Sequence, residues 1–279
     1  MPELPEVESV RIGVASHVAG RAIVRTDVLH PRAIRRHEAG VDSFRAGSEQ
    51  RRVDAVRRKG KYLWLAMGTD ALLIHLGMSG QLRIHRPQDV RHHHTRIVFD
   101  LDNETQLRFV DQRTFGGMQI VEGGAEDPVP HIALDPFHPD YSEAVAAERL
   151  RQRKTGVKRA LLDQKLVSGI GNIYADEALW RAKLHYDYPC DRLSQQQAVQ
   201  LLAETKQVMT AALAAGGTSF DALYVNVNGD SGYFGRDLNV YGRVDRPCHR
   251  CGTTIVRRRF TNRSSYLCPR CQPRPRRRR

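Results

Sequence analysis

The chain begins Met1-Pro2-Glu3-Leu4-Pro5-Glu6-Val7-Glu8, and this stretch is the most informative one in the sequence. A proline at position two permits removal of Met1, which would leave a secondary amine at Pro2 beside the carboxyl group of Glu3. A free α-amine has a pKa of roughly 7.7–8.0, so part of it is neutral and nucleophilic near physiological pH. A secondary amine that adds to an aldehyde-level carbon forms a cationic iminium, an electron sink for elimination chemistry. The alternative is a terminal proline with no chemical role, and the rest of the chain decides between the two interpretations.

The charge of the chain is strongly basic. Its 279 residues, enough for two domains of ordinary size, include 44 Lys and Arg against 31 Asp and Glu, for a net charge of +13. Five of the arginines lie in the terminal run 274–279. Such a charge favours a polyanionic partner, most simply nucleic acid bound through its phosphates. The alternative is a solvated basic surface without a specific ligand.

Targeting signals are missing from the sequence. No apolar run approaches the roughly 20 residues that span a membrane, and the N-terminus lacks the basic and apolar regions of a signal peptide. We therefore expect a cytoplasmic protein with no membrane partner. In that compartment thiols stay reduced, so the five cysteines indicate a metal site or inert thiols rather than disulfides.

The first half of the chain is dominated by strand patterns. Residues 6–19 place valines on one helical face, and Gly20 follows as a stop signal. Short β-rich runs then recur, separated by turn signals, at 52–57, 61–67, 71–76, 81–86, 96–101, 106–110 and 117–121. Seven or eight strands at this spacing predict a β-sandwich or barrel. We expect a catalytic β-sandwich domain with flanking helices over 1–125 and a linker over 126–140.

Beyond the linker the periodicity becomes helical, which predicts a helical domain over 141–243. Helices are expected at 141–153, 156–167, 173–183 and from Ser194, which forms a capping box with Gln197, to about residue 216. The stretch 167–174 lies between two of these helices and contains two glycines. Its backbone amides could hold a phosphate, although an ordinary turn between helices is the simpler interpretation.

Four cysteines near the C-terminus have the spacing of a zinc site. Cys248 and Cys251 are separated from Cys268 and Cys271 by sixteen residues, a pattern typical of four-thiolate zinc at the base of a hairpin. Four thiolates leave no open coordination position, so we expect one structural Zn²⁺ in a zinc finger over 244–272, followed by a basic tail over 273–279. Cys190 has no partner pattern and is expected to be an inert thiol.

The motifs, taken in order, resemble those of the formamidopyrimidine-DNA glycosylase family from Pro2 to Cys271. The resemblance is carried by the N-terminal string, by Lys59-Gly60-Lys61-Tyr62, by Gly171-Asn172-Ile173-Tyr174 and by the four cysteines. It implies a multidomain α+β fold, with an N-terminal β-sandwich and a C-terminal helical domain that carries a helix–two-turn–helix motif and a zinc hairpin. It also implies a bifunctional DNA glycosylase and AP lyase that excises oxidised purines, acting as a monomer on damaged double-stranded DNA in the bacterial cytosol or nucleoid.

The same resemblance assigns catalytic roles to four residues. Pro2 would be the nucleophile and Glu3 the general acid. Lys61, directly before a tyrosine, occupies the position of the family's catalytic lysine, and Arg263 lies between the zinc cysteines at the tip of the hairpin. Without the resemblance, Lys61 would be interpreted as a strand-edge lysine and Arg263 as one more phosphate contact.

Two loops resemble those that enter the DNA helix in this family. The segment from His75 to Gly80 presents Met78, which would fill the space left by an extruded base. The resemblance also implies that His75 contacts DNA. In the second loop Arg113 would pair with the orphaned base and Phe115 would wedge into the stack. This chain has Gln112 and Thr114 where the family usually has Pro and a second Arg, which bears on the choice of opposite base.

The remaining DNA contacts are also implied by the resemblance. His92 aligns with a DNA-contacting histidine, whereas His92-His93-His94 as a metal site is disfavoured because three consecutive side chains cannot all face one ion. The phosphate contacts implied by the resemblance are Arg153, Lys154, Lys158 and Asn172. The glycine-rich stretch 216–243 resembles the loop that covers the flipped base.

Two alternatives remain open at this point. An endonuclease VIII-like glycosylase for oxidised pyrimidines would share the N-terminal chemistry and the zinc hairpin. A non-catalytic zinc-ribbon DNA-binding protein would explain the charge and the cysteines, but not the N-terminal string, Lys61 or the triad of Met78, Arg113 and Phe115.

Overall fold

The computed structural model describes residues 2–217 and 238–275. The chain divides into two compact units, the first formed by Met1–Pro130 and Ala215–Tyr233 and the second by His131–Ala214 and Phe234–Arg279. Among the described residues, no helix is long and apolar enough to cross a membrane. The expected domain boundaries at 125, 140 and 243 stay predictions.

Helix α1 (Leu4–Val18) opens the first unit, and its start is fixed by local chemistry. The N-cap residue Glu3 and Glu6 form a reciprocal capping box, and a proline stands in the first turn. Its valines recur every three or four residues and are buried. The helix ends just before Gly20, whose φ of 79° lies in the left-handed region.

Two antiparallel sheets supply the strands described in the first unit. One has the strand order β2-β1-β7-β8-β6 and the other the order β3-β4-β5-β9. The strands are β1 (Ala22–Val28), β2 (Arg51–Arg52), β3 (Ala55–Lys59), β4 (Tyr62–Met67), β5 (Asp70–His75), β6 (Gln81–His85), β7 (Thr95–Leu101), β8 (Gln106–Val110) and β9 (Gly117–Val121). Side chains of both sheets and of α1 share one buried core that includes Val10, Leu63, Leu65, Phe99 and Phe109. The β-sandwich with a flanking helix is therefore confirmed.

Two elements of this unit were not expected. In strand β1, buried and exposed residues do not alternate, and two of its seven residues are buried. Helix α2 (Gly40–Ser48) buries only Phe44 and Ser48. Both are held by contacts between residues that are distant in the chain. For example, the backbone N–H of Gln50, just after α2, donates to the carbonyl of Ile23 in β1 at 2.7 Å.

The second unit contains helices α3 (Glu143–Arg151), α4 (Val157–Leu161), α5 (Asn172–Arg181) and α6 (Gln195–Ala214), then the hairpin of β10 (Val256–Phe260) and β11 (Arg263–Leu267). Helices α3 and α5 both pack on α6. The capping box that opens α6 is present, since Ser194 and Gln197 bond reciprocally at 2.9 and 3.1 Å.

The helix predicted over 156–167 is much shorter than expected and ends at Leu161. The Gln164 side chain replaces helical bonds beyond that point: its amide donates to the carbonyls of Leu162 and Ile170, and its oxygen accepts from the Gly169 N–H. The result is a compact double turn between α4 and α5, which is the geometry of a helix–two-turn–helix motif.

Candidate DNA-processing site

The N-terminal Pro2 and Glu3 are buried at the start of α1. The Glu3 N–H donates to Glu6 Oε2 at 2.8 Å, and Glu3 is 2% exposed. Gly217 lies against the same turn with a φ of 93°, and a β-carbon added there would come within 3.3 Å of Glu6 Cγ. The positive φ favours glycine at that position, and an added β-carbon would crowd the Glu6 side chain. The first described residues of the expected covering loop therefore border the helix turn that follows Pro2.

Lys61 follows a turn that is tied to α1. The Arg58 guanidinium donates to Glu8 Oε2 at 2.8 Å and to the Gly60 carbonyl at 3.1 Å. Burial alone would raise the pKa of Glu8, but hydrogen bonds from Arg11 and Arg58 outweigh it and lower the pKa. A charged Glu8 thus fastens the helix that carries Pro2 and Glu3 to the hairpin that carries Lys61.

His75, at the end of β5, is held neutral. Burial lowers its pKa to about 4, and the nearby Arg36, Lys61 and Arg35 act in the same direction. Its ring lies 4.7 Å from the Tyr62 ring, and its Nδ1 accepts the Gly77 N–H at 3.1 Å. That bond leaves the ring proton on Nε2, so His75 can donate one hydrogen bond outward while it shapes the loop that follows it.

Met78, Arg113 and Phe115 project from two neighbouring loops. Met78 is 39% exposed and Phe115 is 44% exposed, so solvent reaches both apolar side chains. The Arg113 guanidinium carbon lies 5.3 Å from the centre of the Phe115 ring. The structure brings these three residues onto adjacent loops, the arrangement that the resemblance required.

The histidines at 92–94 stack on one another and do not gather around one point. Ring centres lie 4.5 Å apart for His92 and His93 and 3.9 Å apart for His93 and His94. They line a cavity of about 180 Å³ together with Gln112. Within the described ranges, the four cysteines form the one group of three or more candidate metal ligands.

The basic residues before the double turn have different surroundings. Lys154 is exposed, and Arg153 forms an ion pair with Asp163 at 3.1 Å. Lys158 is fully buried, and its ammonium lies 2.7 Å from the carboxylate of Asp176. A phosphate contact would require Lys158 to leave this pair. The burial therefore favours an internal role for Lys158, whereas Arg153 and Lys154 are placed where a phosphate can reach them.

Asn172 bonds the zinc hairpin at the residue that follows Arg263. The Asn172 side-chain amide donates to the Ser264 carbonyl at 3.0 Å, and Lys158 donates to the same oxygen at 3.3 Å. Asp176 accepts from the Ser265 hydroxyl at 2.7 Å and from the Tyr266 N–H at 3.0 Å. The start of β11, where Arg263 is exposed, is thus held by residues of α4 and α5.

Three buried acids, Asp111, Asp176 and Glu177, were missed by sequence reasoning. Glu177 accepts backbone N–H groups of Asn239, Val240 and Tyr241 at 2.8–3.1 Å, which fixes the C-terminal end of the expected covering loop. Most of that loop, residues 218–237, lies outside the described residues, as does the end of the basic tail. Asp176 and Glu177 stand side by side among the apolar residues of the predicted helix 173–183. This pair was the one sequence signal that the two acids are buried.

The four zinc-spaced cysteines converge at the base of the hairpin. Their sulfurs all lie within 4.8 Å of one another, with Cys251 Sγ at 3.5 Å from those of Cys268 and Cys271. Tetrahedral zinc with Zn–S bonds of 2.3 Å needs sulfurs about 3.8 Å apart, so the residues fit the ion. The indole N–H of Trp180 donates to Cys248 Sγ at 3.3 Å, a supporting bond outside the ligand set.

The thiols differ in acidity before they bind a metal. Hydrogen bonds from the side chain and backbone of Thr253 lower the pKa of Cys251 to about 6, whereas burial raises that of Cys268 to about 12. A divalent cation must therefore displace protons when it binds, which makes its affinity depend on pH. Cys248, Cys251, Cys268 and Cys271 hold one structural zinc ion.

Three features together define a class of DNA-processing proteins. They are a β-sandwich with a buried N-terminal Pro-Glu pair, a helix–two-turn–helix unit and a four-thiolate hairpin. Three family models match the chain in that order: the formamidopyrimidine-DNA glycosylase N-terminal domain over 1–118, the helix–two-turn–helix domain of the same enzymes over 132–223, and a zinc finger found in FPG and IleRS over 246–274.

Full-length relatives agree with these matches. The chain is 58% identical to a formamidopyrimidine-DNA glycosylase of Salinispora arenicola, over 99% of this chain and 98% of the relative, and 56% identical to one of Nocardioides sp., over 100% and 97%. Among solved structures, a variant of the Lactococcus lactis FPG bound to DNA containing Fapy-dG matches with a TM-score of 0.89 at 30% identity, over 98% of this chain and 100% of that one. A structure of MutM with DNA containing carbocyclic 8-oxo-G matches with the same TM-score and identity. The chain belongs to the formamidopyrimidine-DNA glycosylase family.

Proposed function

We propose that this protein is a bifunctional DNA glycosylase and AP lyase that excises 8-oxoguanine and formamidopyrimidines from double-stranded DNA. The observation that carries the proposal is the buried Pro2-Glu3 pair at the capped start of α1, in a chain whose whole length matches this family. The DNA bound in the related structures contains Fapy-dG or carbocyclic 8-oxo-G, which supports the purine class.

The proposed reaction starts with an extruded nucleotide, because the glycosidic carbon is out of reach inside the stack. The Pro2 nitrogen attacks C1′, the bond from C1′ to the base breaks, and the base leaves. Glu3 protonates the ring oxygen O4′ as the sugar opens, which leaves an iminium between Pro2 and C1′. Removal of Met1 is required, since an acylated proline nitrogen is not a nucleophile.

Strand cleavage follows from the same iminium. It acidifies the C2′ proton, whose loss expels the phosphate on C3′, and a second elimination expels the phosphate on C5′. Lys61 and Arg263 act on these steps as proton donors or as clamps on the departing phosphates. Zinc, when bound, supplies only the shape of the hairpin that carries Arg263. Hydrolysis of the last iminium releases the sugar remnant and returns the free amine.

The proposed partner is damaged duplex DNA, bound by a monomer. Exposed side chains at His92, Arg153 and Lys154 and the tip at Arg263 provide phosphate contacts, while Met78, Arg113 and Phe115 occupy the space of the extruded base. The relatives come from bacteria, and the proposed place of action is the bacterial cytosol or nucleoid.

Two comparisons test the function. The protein should cleave a duplex with 8-oxoguanine opposite cytosine much faster than one with thymine glycol, and the reverse order would establish the pyrimidine-directed, endonuclease VIII-like alternative.

A Pro2→Gly variant should lose strand cleavage, and full activity in that variant would contradict the mechanism. Pro31→Gly, which changes an exposed proline in the same unit, is the matched control and should cleave normally.

A further inference from the structure

The loop with Met78 and the loop with Arg113 and Phe115 interlock through their backbones. Gly77 has a φ of 64°, and a β-carbon built on it would lie 2.3 Å from the Gly116 nitrogen and 2.4 Å from the Phe115 carbonyl carbon. No side chain fits in that space, and the left-handed conformation also favours glycine. The two loops are therefore in direct backbone contact within the first unit.

One buried carboxylate fastens the two loops to each other. Asp111 is 0% exposed. Its Oδ1 accepts from the Ser79 hydroxyl at 2.6 Å and from the Arg113 N–H at 3.2 Å, and its Oδ2 accepts from the Gly116 N–H at 2.8 Å. The Ser79 hydroxyl oxygen also accepts the Arg113 N–H at 3.1 Å. Asp111 thus closes its own loop and holds the Met78 loop through Ser79.

Arg35 holds the opposite side of the second loop. Its guanidinium donates to three consecutive carbonyls, those of Thr114 at 3.2 Å, Phe115 at 2.8 Å and Gly116 at 2.8 Å. Thr114, which stands where the family usually has Arg, has a φ of 52° that is unusual for a β-branched residue. The loop is therefore held in a strained conformation from both sides.

We propose that Asp111, acting with Ser79, is a positioning residue that makes the two loops one unit, so that Met78, Arg113 and Phe115 enter the duplex together. This inference rests on the proposed function. Inserting three side chains in one step requires that their relative positions be fixed beforehand, because loop ordering otherwise reduces the gain from each contact. The coupling belongs to duplex recognition, and a substrate without a second strand does not need it.

The test compares a duplex with a single strand. We measure single-turnover base removal on a duplex with 8-oxoguanine opposite cytosine and borohydride trapping on a single-stranded abasic oligonucleotide. Asp111→Asn keeps the shape of the side chain but turns one acceptor into a donor that faces the Gly116 N–H or the Ser79 hydroxyl. It should slow the duplex reaction by about 10- to 100-fold, the loss expected for a misplaced recognition element, and leave single-strand trapping at the wild-type rate.

Ser79→Ala tests the link between the loops. Its effect should combine with that of Asp111→Asn in a non-additive way, because both substitutions break the same bond. A 2-aminopurine next to the lesion reports unstacking, and its fluorescence change should slow to the same extent as base removal. Asp54→Asn is the matched control, because it removes a similar carboxylate bond to the Gly68 N–H in the same unit. It should leave both duplex base removal and single-strand trapping at the wild-type rate.

Two results would overturn the inference. An equal loss on duplex and single strand would show that Asp111 serves only the fold, and an unchanged duplex rate would show that the loops do not depend on it. Failure of the proposed function is distinct, since wild-type protein would then neither remove the base from the duplex nor be trapped on the abasic oligonucleotide.

Discussion

His75 illustrates how a single buried ring makes the stability of the first unit depend on pH. Its pKa falls to about 4 on folding, mainly because burial disfavours the charged ring. Between about pH 6.5 and pH 4 the unfolded chain takes up a proton that the folded chain does not. The folded state therefore loses stability as the pH falls through this window, and the contribution of His75 is fully present above it.

Replacing His75 by Asn should remove this dependence while keeping an acceptor for the Gly77 N–H. The difference in unfolding free energy between wild type and His75→Asn should shrink by up to about 2 kcal/mol from pH 7.5 to pH 5, since each pKa unit is worth about 1.4 kcal/mol. Urea unfolding of both proteins at the two pH values measures it. A difference that stays constant with pH would show that His75 does not titrate in this way.

The helices and the zinc hairpin of the second unit are joined by the pair of Lys158 and Asp176. Burial raises the pKa of Asp176 to about 6, although Lys158 and the bonds from Tyr266 and Ser265 lower it. The Lys158 ammonium also lies 4.8 Å from the centre of the Phe260 ring. The pair thus fixes α4, α5 and both strands of the hairpin around one buried point.

Breaking this pair on one side should destabilise the second unit strongly. Lys158→Met should cost about 3–5 kcal/mol, because it leaves a buried carboxylate without its counter-charge, and the double variant Lys158→Met, Asp176→Asn should recover part of the loss. Unfolding can be followed by Trp180 fluorescence in a Trp64→Phe background, since the chain has two tryptophans and only Trp180 lies in this unit. An unchanged midpoint in Lys158→Met would refute the role of the pair.

Elements with a strong local pattern were predicted well from the sequence. The strands from β3 to β9, helix α1 and the capping box of α6 lie where periodicity and capping residues indicated. Strand β1 and helix α2 were missed, because few of their residues are buried and their partners are distant in the chain. The buried acids were missed for the same reason: Asp111 binds Ser79, 32 residues away, and Asp176 binds Ser265, 89 residues away.

Over the whole molecule, charge and motif order carry different information. The net charge of +13 indicates a polyanionic binding partner, but it does not distinguish a repair enzyme from a passive DNA-binding protein. The N-terminal string, the two loops and the zinc cysteines made the family recognisable, because they follow one another in the family's order along nearly the whole chain. The burial of individual basic side chains could not be predicted from the sequence: Lys158 precedes the double turn, yet it is fully buried and paired with Asp176.

The basic tail should add affinity without specificity. A truncation ending at Gln272 should weaken DNA binding and reduce the slope of log affinity against log salt, by about 0.9 for each arginine that contacts a phosphate. Gln272 itself must stay, because its side chain bonds the Cys268 N–H and the Leu184 carbonyl. A full-length variant with the five tail arginines changed to Gln separates charge from length, and an unchanged salt slope in both proteins would exclude a role for the tail.

The central claim is that the amine of Pro2 attacks the sugar of a damaged nucleotide, and borohydride trapping tests it most directly. The protein is incubated with borohydride and a duplex carrying one 8-oxoguanine opposite cytosine, and the cross-link is mapped by mass spectrometry. We predict a covalent adduct on the N-terminal peptide, at Pro2, with Met1 absent. Tight binding to the same duplex without any adduct would contradict the account and identify the chain as a lesion-binding protein on the same scaffold.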